Sequence, residues 1–260
     1  MRTLALIAAA ATLLGCTHRK EVAVVSEAAE GTMYFAAADG VEVHSRLYKA
    51  SGPANGVVLM FHQAGSNMHE YDPIVPRVTA EGWDCLTVDQ RSGGTMWEHT
   101  NLTAQAAGGD QPYEDAYADL VAALTWAEGE GYDRILAWGS SYSASLVFRL
   151  AAEHESVAAV LSFSPGEYFE EKGIVAKWAS QVKVPCFIGA TPEEFFNEVE
   201  PIKDARVASP ANSLDMAFGL GDGAHGSSTL REDKAPKAYE KYWQWVRRFL
   251  DSLLENSVEL

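Results

Sequence analysis

The 260-residue chain carries 36 acidic against 20 basic residues, a formal charge of −16, and 47% of it is hydrophobic. Nucleic acid and anionic membrane surfaces are poor partners for such a charge, and no basic run exceeds Arg247-Arg248. The apolar content is ample for a core, and the length suits one large domain or two small ones.

The first segment reads as an export signal. Met1-Arg2 supplies a positive start, and Thr3 to Leu14 is almost wholly apolar. That stretch falls short of the ~20 apolar residues needed to span a bilayer but suits a signal h-region. It ends in Leu13-Leu14-Gly15-Cys16, which resembles the bacterial lipobox. The resemblance implies cleavage after Gly15 and acylation of Cys16 by palmitate-type chains. Two or more chains are what stable anchoring requires. Plain secretory cleavage is the competing reading. Residues 1–15 are thus expected to be a signal peptide and 16–30 a polar tether to a bacterial membrane. Thr17 after the lipidated Cys resembles outer-membrane sorting.

Residues 31–260 read as a single domain. TMYFAA (32–37) and VEVHSRLY (41–48) flank Asp39-Gly40 and predict an antiparallel hairpin. VVLMF (57–61) predicts a buried strand, about 70–81 a helix containing proline, and WDCLTVD (83–89) another strand. Segment 91–113 is rich in Gly, Thr and Gln without periodicity and reads as a long loop. Glu114 to Ala127 predicts a helix with Tyr117, Leu120, Val121 and Leu124 on one face.

RILAW (134–138) predicts a strand, and Leu146, Val147, Leu150 and Ala151 recur downstream at helical spacing. VAAVLSF (157–163) and VPCFIGA (184–190) are further strands, separated by room for one short helix but no lid domain. An acidic helix near 193–205 and LDMAFGL (214–220) follow. The last helix is the strongest periodic signal: Tyr239, Tyr242, Trp243, Val246, Phe249, Leu250 and Leu253. A hairpin followed by alternating strands and helices predicts an α/β fold. We expect a mostly parallel sheet of about eight strands, covered on both faces. Cys85 and Cys186 fall in separate apolar runs and read as inert core thiols. No Cys/His spacing matches a metal site, and no cofactor is expected.

Gly139-Ser140-Ser141-Tyr142-Ser143 joins a predicted strand to a predicted helix. A small-x-Ser-x-small pentapeptide at such a junction is a nucleophile elbow, whose sharp turn excludes bulk two residues either side of the serine. Ser141 fits; Ser140, between Trp138 and Tyr142, does not; Ser143 fits the letters but falls within the helix. A serine-rich helix N-cap is the bland alternative. A serine nucleophile needs a base oriented by a carboxylate. Only His154 and His225 follow Ser141; His154 falls in the helix, whereas His225 lies in a loop after the last strand. Glu193, in the loop after VPCFIGA, is the expected acid, with Glu194 and Glu167 as alternatives. The oxyanion donors are expected to be the Tyr142 amide and, after VVLMF, that of Ala64, with Gln63 as the alternative.

These stretches resemble the α/β-hydrolase superfamily, and within it the small dienelactone-hydrolase-like serine hydrolases. His62-Gln63-Ala64-Gly65 stands for its His-Gly-x-Gly loop and residues 139–143 for its elbow. Asp89-Gln90-Arg91-Ser92-Gly93-Gly94 stands for its Asp-x-Arg-Gly-x-Gly turn, and His225-Gly226 for its terminal pair. The order Ser, acid, His is that of the superfamily. The resemblance implies a serine hydrolase that cleaves a small-molecule ester or related acyl bond. An acyltransferase on the same residues, or a non-catalytic envelope-binding lipoprotein, are the alternatives. Trp97, His99, Tyr113, Tyr168, Phe169 and Trp178 are candidates to line an acyl pocket or to cover core under long loops. Oligomeric state is not legible.

Overall fold

Residues 32–208, 214–218 and 221–255 are described by a computed structural model; the expected signal segment, Cys16 and the tether lie outside them. Strands β1 (Thr32–Ala36) and β2 (Glu42–Tyr48) form the antiparallel hairpin, in register from Thr32 opposite Arg46 to Ala36 opposite Glu42. The continuous apolar run β3 (Val57–Phe61) is buried at all five positions, as is β4 (Asp84–Val88). Strands buried throughout belong in the middle of a sheet covered on both faces.

After β4 the chain departs from the expected loop. Strands β5 (Thr95–Met96) and β6 (His99–Thr100) form a small ribbon, followed by α2 (Leu102–Ala106), whose N-cap Asn101 accepts from the Ala104 amide at 2.7 Å. The ribbon turns through Trp97 and Glu98 at φ 57° and 63°. Such turns favour Asn and Gly, so the local residues do not announce it. Tertiary bonds hold it instead. The Trp97 indole donates to Ser66 Oγ at 2.9 Å, and Asn67 donates to the Met96 and His99 carbonyls at 2.8 and 2.9 Å. The helix expected over about 70–81 is likewise shorter: a 3-10 turn at Met68–Tyr71, then α1 (Val75–Ala80) with proline in its first turn.

The remaining elements follow the predicted order: α3 (Tyr117–Gly129), β7 (Ile135–Ser140), α4 (Tyr142–Glu153), β8 (Val157–Phe163), α5 (Ile174–Gln181) and β9 (Cys186–Ala190). Then come α6 (Pro192–Glu194), a π turn (Phe195–Val199), α7 (Glu200–Val207), β10 (Leu214–Phe218), a 3-10 turn (Gly226–Leu230) and α8 (Tyr239–Glu255). The eight-stranded sheet runs β1-β2-β4-β3-β7-β8-β9-β10, parallel from β4 onward.

Alternation along β3 sorts the core into two layers. Val57, Leu59 and Phe61 pack with Trp126, Phe148 and Tyr142 beneath α3 and α4; Val58 and Met60 pack with Trp138, Phe187 and Phe249 beneath α8. Cys186 belongs to the first layer and Cys85 to the second, so the two free thiols lie in different layers.

Register places the loops that matter. Phe61 pairs with Gly139, Ser140 with Phe163, and Phe163 with Gly189, so β3, β7, β8 and β9 end side by side. The segments after these carboxyl ends therefore open on one rim, where parallel sheets form their sites. Helix α8 locks that rim from below: the Tyr242 hydroxyl donates to the Ala190 carbonyl at 2.8 Å, and the Trp243 indole to the Leu230 carbonyl at 2.9 Å.

Phe249 is fully buried on α8, its ring 5.7 Å from that of Phe187. Phe249→Ala is expected to destabilise the fold by about 3–5 kcal/mol through lost burial and the cavity left behind, read from the denaturant midpoint.

Candidate active site

The turn between β7 and α4 is the expected elbow. Ser141 adopts φ 60° and ψ −123°, a region that disfavours side chains and costs of order 1–3 kcal/mol. Its amide donates to the Phe163 carbonyl at 2.8 Å. A Cβ at Gly139 would overlap the backbone of Ser143, which is why the position tolerates no side chain. Ser143, where the superfamily usually has a second glycine, is accommodated because its hydroxyl is put to use. It accepts from the Ser140 amide at 2.9 Å and lies 2.7 Å from the Phe61 carbonyl, fastening the elbow to the end of β3.

Two other loops reach Ser141. The Ser141 hydroxyl lies 2.8 Å from His225 Nε2, and His225 Nδ1 lies 2.6 Å from Glu194 Oε1. This arrangement assigns the proton to Nδ1, leaving Nε2 free to accept from the serine. His154 is the C-cap of α4 and takes no part. Glu167 is engaged elsewhere, accepting from the Val175 and Ala176 amides.

The carboxylate at His225 corrects the expectation for Glu193. Thr191 caps α6, and Glu194 at the third helical position folds back to it in a capping box: the Thr191 amide donates to Glu194 Oε2 at 2.8 Å. That backward turn points Glu194 at the strand ends, while Glu193, one residue earlier, is exposed. Ser164, at φ 56°, completes the support. Its hydroxyl donates to Glu194 Oε2 at 2.9 Å and accepts from the Gly226 amide at 2.9 Å, tying the acid to the histidine loop.

The electrostatics are consistent with one ionised carboxylate beside one imidazole. The hydrogen bond that His225 donates to Glu194 raises the His225 pKa above its usual value. Burial alone would push the Glu194 carboxyl up, but bonds from His225, Thr191 and Ser164 outweigh it and hold it below the usual range. Ser141 is only 7% exposed, whereas the His225 side chain retains 47% of its accessibility, so the pair is approached from solvent on the imidazole side.

Amides for a developing oxyanion can come from the two expected positions. Tyr142 opens α4, and its N–H has no intrahelical acceptor. Among the described residues the Ala64 amide has no acceptor either, whereas Gln63, the alternative, donates to Glu70 Oε2 at 2.8 Å. His62 is a strut for this loop. Its amide donates to Gln90 Oε1 and its Nε2 accepts from the Gln90 amide, both at 2.9 Å, and burial depresses its pKa to about 4. The Asp89–Gly94 turn thus supports the loop from β4. It is itself held by Arg91, whose guanidinium is bonded to the buried Asp119 at 2.7 Å and to Asp39.

The overhanging aromatics mostly cover core. Tyr113 stacks on Tyr142 at 4.6 Å, Phe169 is buried against Trp178, and the Arg231 guanidinium lies 3.9 Å from the Trp97 ring. Tyr168 faces the site, its hydroxyl donating to the Ser164 carbonyl at 3.0 Å. Among the described residues, His69, Asp72 and His99 gather metal-type ligand atoms within 4.8 Å. The two imidazoles, however, stack face to face at 3.6 Å and 12° from parallel, and His69 Nδ1 is hydrogen-bonded to Asp72 at 2.8 Å. Stacked rings do not direct both in-plane lone pairs at one ion, so this cluster is not arranged as a metal centre.

Titration of the His225 ring protons by NMR is expected to give a pKa above 6.5 in the native chain, a lower one in Glu194→Gln, and the native value in Glu193→Gln. Equal titrations in the native chain and Glu194→Gln would disprove the assignment of the carboxylate.

No protein-family model matches the sequence, and comparison with curated proteins finds no match. Solved structures do resemble it. An esterase of Pyrococcus furiosus superposes with a TM-score of 0.62 at 15% identity, over 88% of this chain and 92% of that one. A thermostable carboxyl esterase of Bacillus coagulans gives 0.66 at 12% identity, over 85% and 98%. A dienelactone hydrolase of Anabaena variabilis gives 0.59 at 17% identity, over 85% and 98%. At these identities the likeness is one of architecture: the chain has the α/β-hydrolase fold.

Proposed function

We propose that this protein is a serine hydrolase that cleaves a small carboxylic ester, or a related acyl bond, through an acyl-serine intermediate. The observation that carries the reading is the relay Ser141–His225–Glu194, joined at 2.8 and 2.6 Å on a strained elbow. The names of the structural neighbours, esterases and a dienelactone hydrolase, support the same chemistry.

In this mechanism His225 Nε2 takes the Ser141 proton as the oxygen attacks the acyl carbonyl. Glu194 holds the imidazole by Nδ1 and stabilises the imidazolium that forms. The amides of Ala64 and Tyr142 receive the negative charge that develops on the carbonyl oxygen. Collapse breaks the bond to the leaving group, which departs with the proton from His225. Water, deprotonated by His225, then attacks the acyl carbonyl; the bond to the Ser141 oxygen breaks, the carboxylic acid departs, and the proton on His225 returns to Ser141. The base works only when neutral, so the rate rises with pH through the His225 pKa.

The N-terminal segment adds a location. We propose that Cys16 carries the acyl anchor of a bacterial envelope lipoprotein, in the outer membrane by the reading of Thr17. The motif Leu13-Leu14-Gly15-Cys16 and the short apolar run before it support this.

Three measurements test these statements. Ser141→Ala is expected to abolish hydrolysis of p-nitrophenyl acetate and labelling by a fluorophosphonate probe; native turnover in that variant would refute the nucleophile. The kcat/KM profile is expected to rise with a midpoint above pH 6.5, falling to lower pH in Glu194→Gln along with a loss of rate. Radiolabelled palmitate fed to expressing bacteria is expected to mark the native chain but not Cys16→Ser; equal labelling of both would exclude the anchor.

A further inference from the structure

Four loops supply the parts of this site, and three of them, those carrying Ala64, Ser141 and His225, meet at one buried side chain. Glu70, in the 3-10 turn Met68–Tyr71, is fully buried and takes no part in the chemistry above, yet its carboxylate lies where those loops meet. Its Oε2 accepts from the Gln63 amide at 2.8 Å, within the loop that carries Ala64. Its Oε1 accepts from the Ser140 hydroxyl at 2.6 Å, one residue before the nucleophile. The same Ser140 oxygen accepts from the Ser227 amide at 2.8 Å, two residues after His225.

The histidine loop is pressed onto this joint. Gly226 has φ 64°, and a Cβ there would overlap Ser140 Oγ. Outside contacts hold Glu70 itself: Arg231 donates to its backbone carbonyl at 3.0 Å, and the neighbouring Tyr71 hydroxyl is anchored to the Phe61 carbonyl at 2.6 Å.

We propose that Glu70 is a positioning residue, whose one carboxylate sets the oxyanion loop, the elbow and, through Ser140, the histidine loop at their working separations. The inference rests on the serine-hydrolase reading and adds a residue to it. Burial raises the Glu70 carboxyl above the usual range, while the donors on both its oxygens, from Ser140 and Gln63, and the nearby Arg231 act the other way and favour the ionised form. Loss of the carboxylate leaves the Gln63 amide or the Ser140 hydroxyl competing for fewer acceptors. The loops then relax against one another by fractions of an ångström, which is enough to cost rate.

A second consequence follows from charge. His225 is faced by Glu194 from α6, by Ser141 from the elbow and by Glu70 from the 3-10 turn; Tyr168, from the loop after β8, stays neutral, its pKa pushed up to about 12. Glu70 in turn faces Arg231, His225 and Tyr71. Both carboxylates raise the His225 pKa, so removing the Glu70 charge lowers it.

The test uses Glu70→Gln, which keeps the shape, and Ser140→Ala, which keeps the carboxylate and cuts the link to Ser227. Fluorophosphonate titration of the native chain comes first; its failure to label Ser141 would count against the hydrolase reading and not against this joint. In folded Glu70→Gln, kcat per titrated site is expected to fall about 10- to 100-fold with KM changed less than about twofold. The NMR titration of His225, which needs no turnover, is expected to move to lower pH. Ser140→Ala is expected to lose kcat as well, with a smaller movement of the His225 titration, and it carries the test should Glu70→Gln fail to fold. Native kcat in either folded variant, or a native His225 titration in Glu70→Gln, would overturn the proposal.

Discussion

The site depends on one unfavourable backbone conformation. Ser141 sits at φ 60°, and a chain holds a non-glycine residue there only when its surroundings over-determine it. Here the constraints are visible. The absent side chain at Gly139 admits the Ser143 backbone, the Ser143 hydroxyl fastens to β3, and the Ser141 amide is held by β8. Strands on either side of the turn thus contribute to holding it.

Around that turn the protein places a buried polar layer in an otherwise apolar body. Glu70, Ser140, Ser164, Ser227, His62 and Asn101 are all at or near zero exposure. Each has partners: Ser227 receives the Trp138 indole at 2.9 Å, and Asn101 donates to the Gln90 carbonyl at 2.9 Å. A satisfied network in a low-dielectric setting is rigid, because losing one partner strands another. That rigidity is what a relay of two short hydrogen bonds requires. His225, by contrast, remains open to solvent, as the base in the proposed mechanism requires.

Much of the architecture was legible in the residues. Continuous apolar runs marked β3, β4, β7, β8 and β9 because strands buried on both faces need them, and helical spacing marked α3, α4 and α8. Ser141 was legible because the elbow restricts its neighbours to small residues, and His225 because it follows the last strand. The carboxylate that meets His225 lies one residue beyond the expected Glu193. Thr191-Pro192-Glu193-Glu194 has the Thr-x-x-Glu spacing of a capping box, and that signal identifies Glu194 as the side chain turned back toward the strand end. Counting from the strand could not distinguish adjacent glutamates; the cap geometry does.

The sequence by itself determined the order of elements, the sharp serine turn and the set of residue types available to it, since these follow from side-chain volume and periodicity within a few residues. Only the tertiary structure decided which polar groups meet. The ribbon at Trp97 and Glu98 forms against local preference because Ser66 and Asn67 hold it, and Glu70 finds Ser140 seventy positions away. Ser164 joins Glu194 to Gly226 by the same kind of encounter. Such contacts depend on which strands lie side by side and in what register, and that is settled by the packing of the whole sheet.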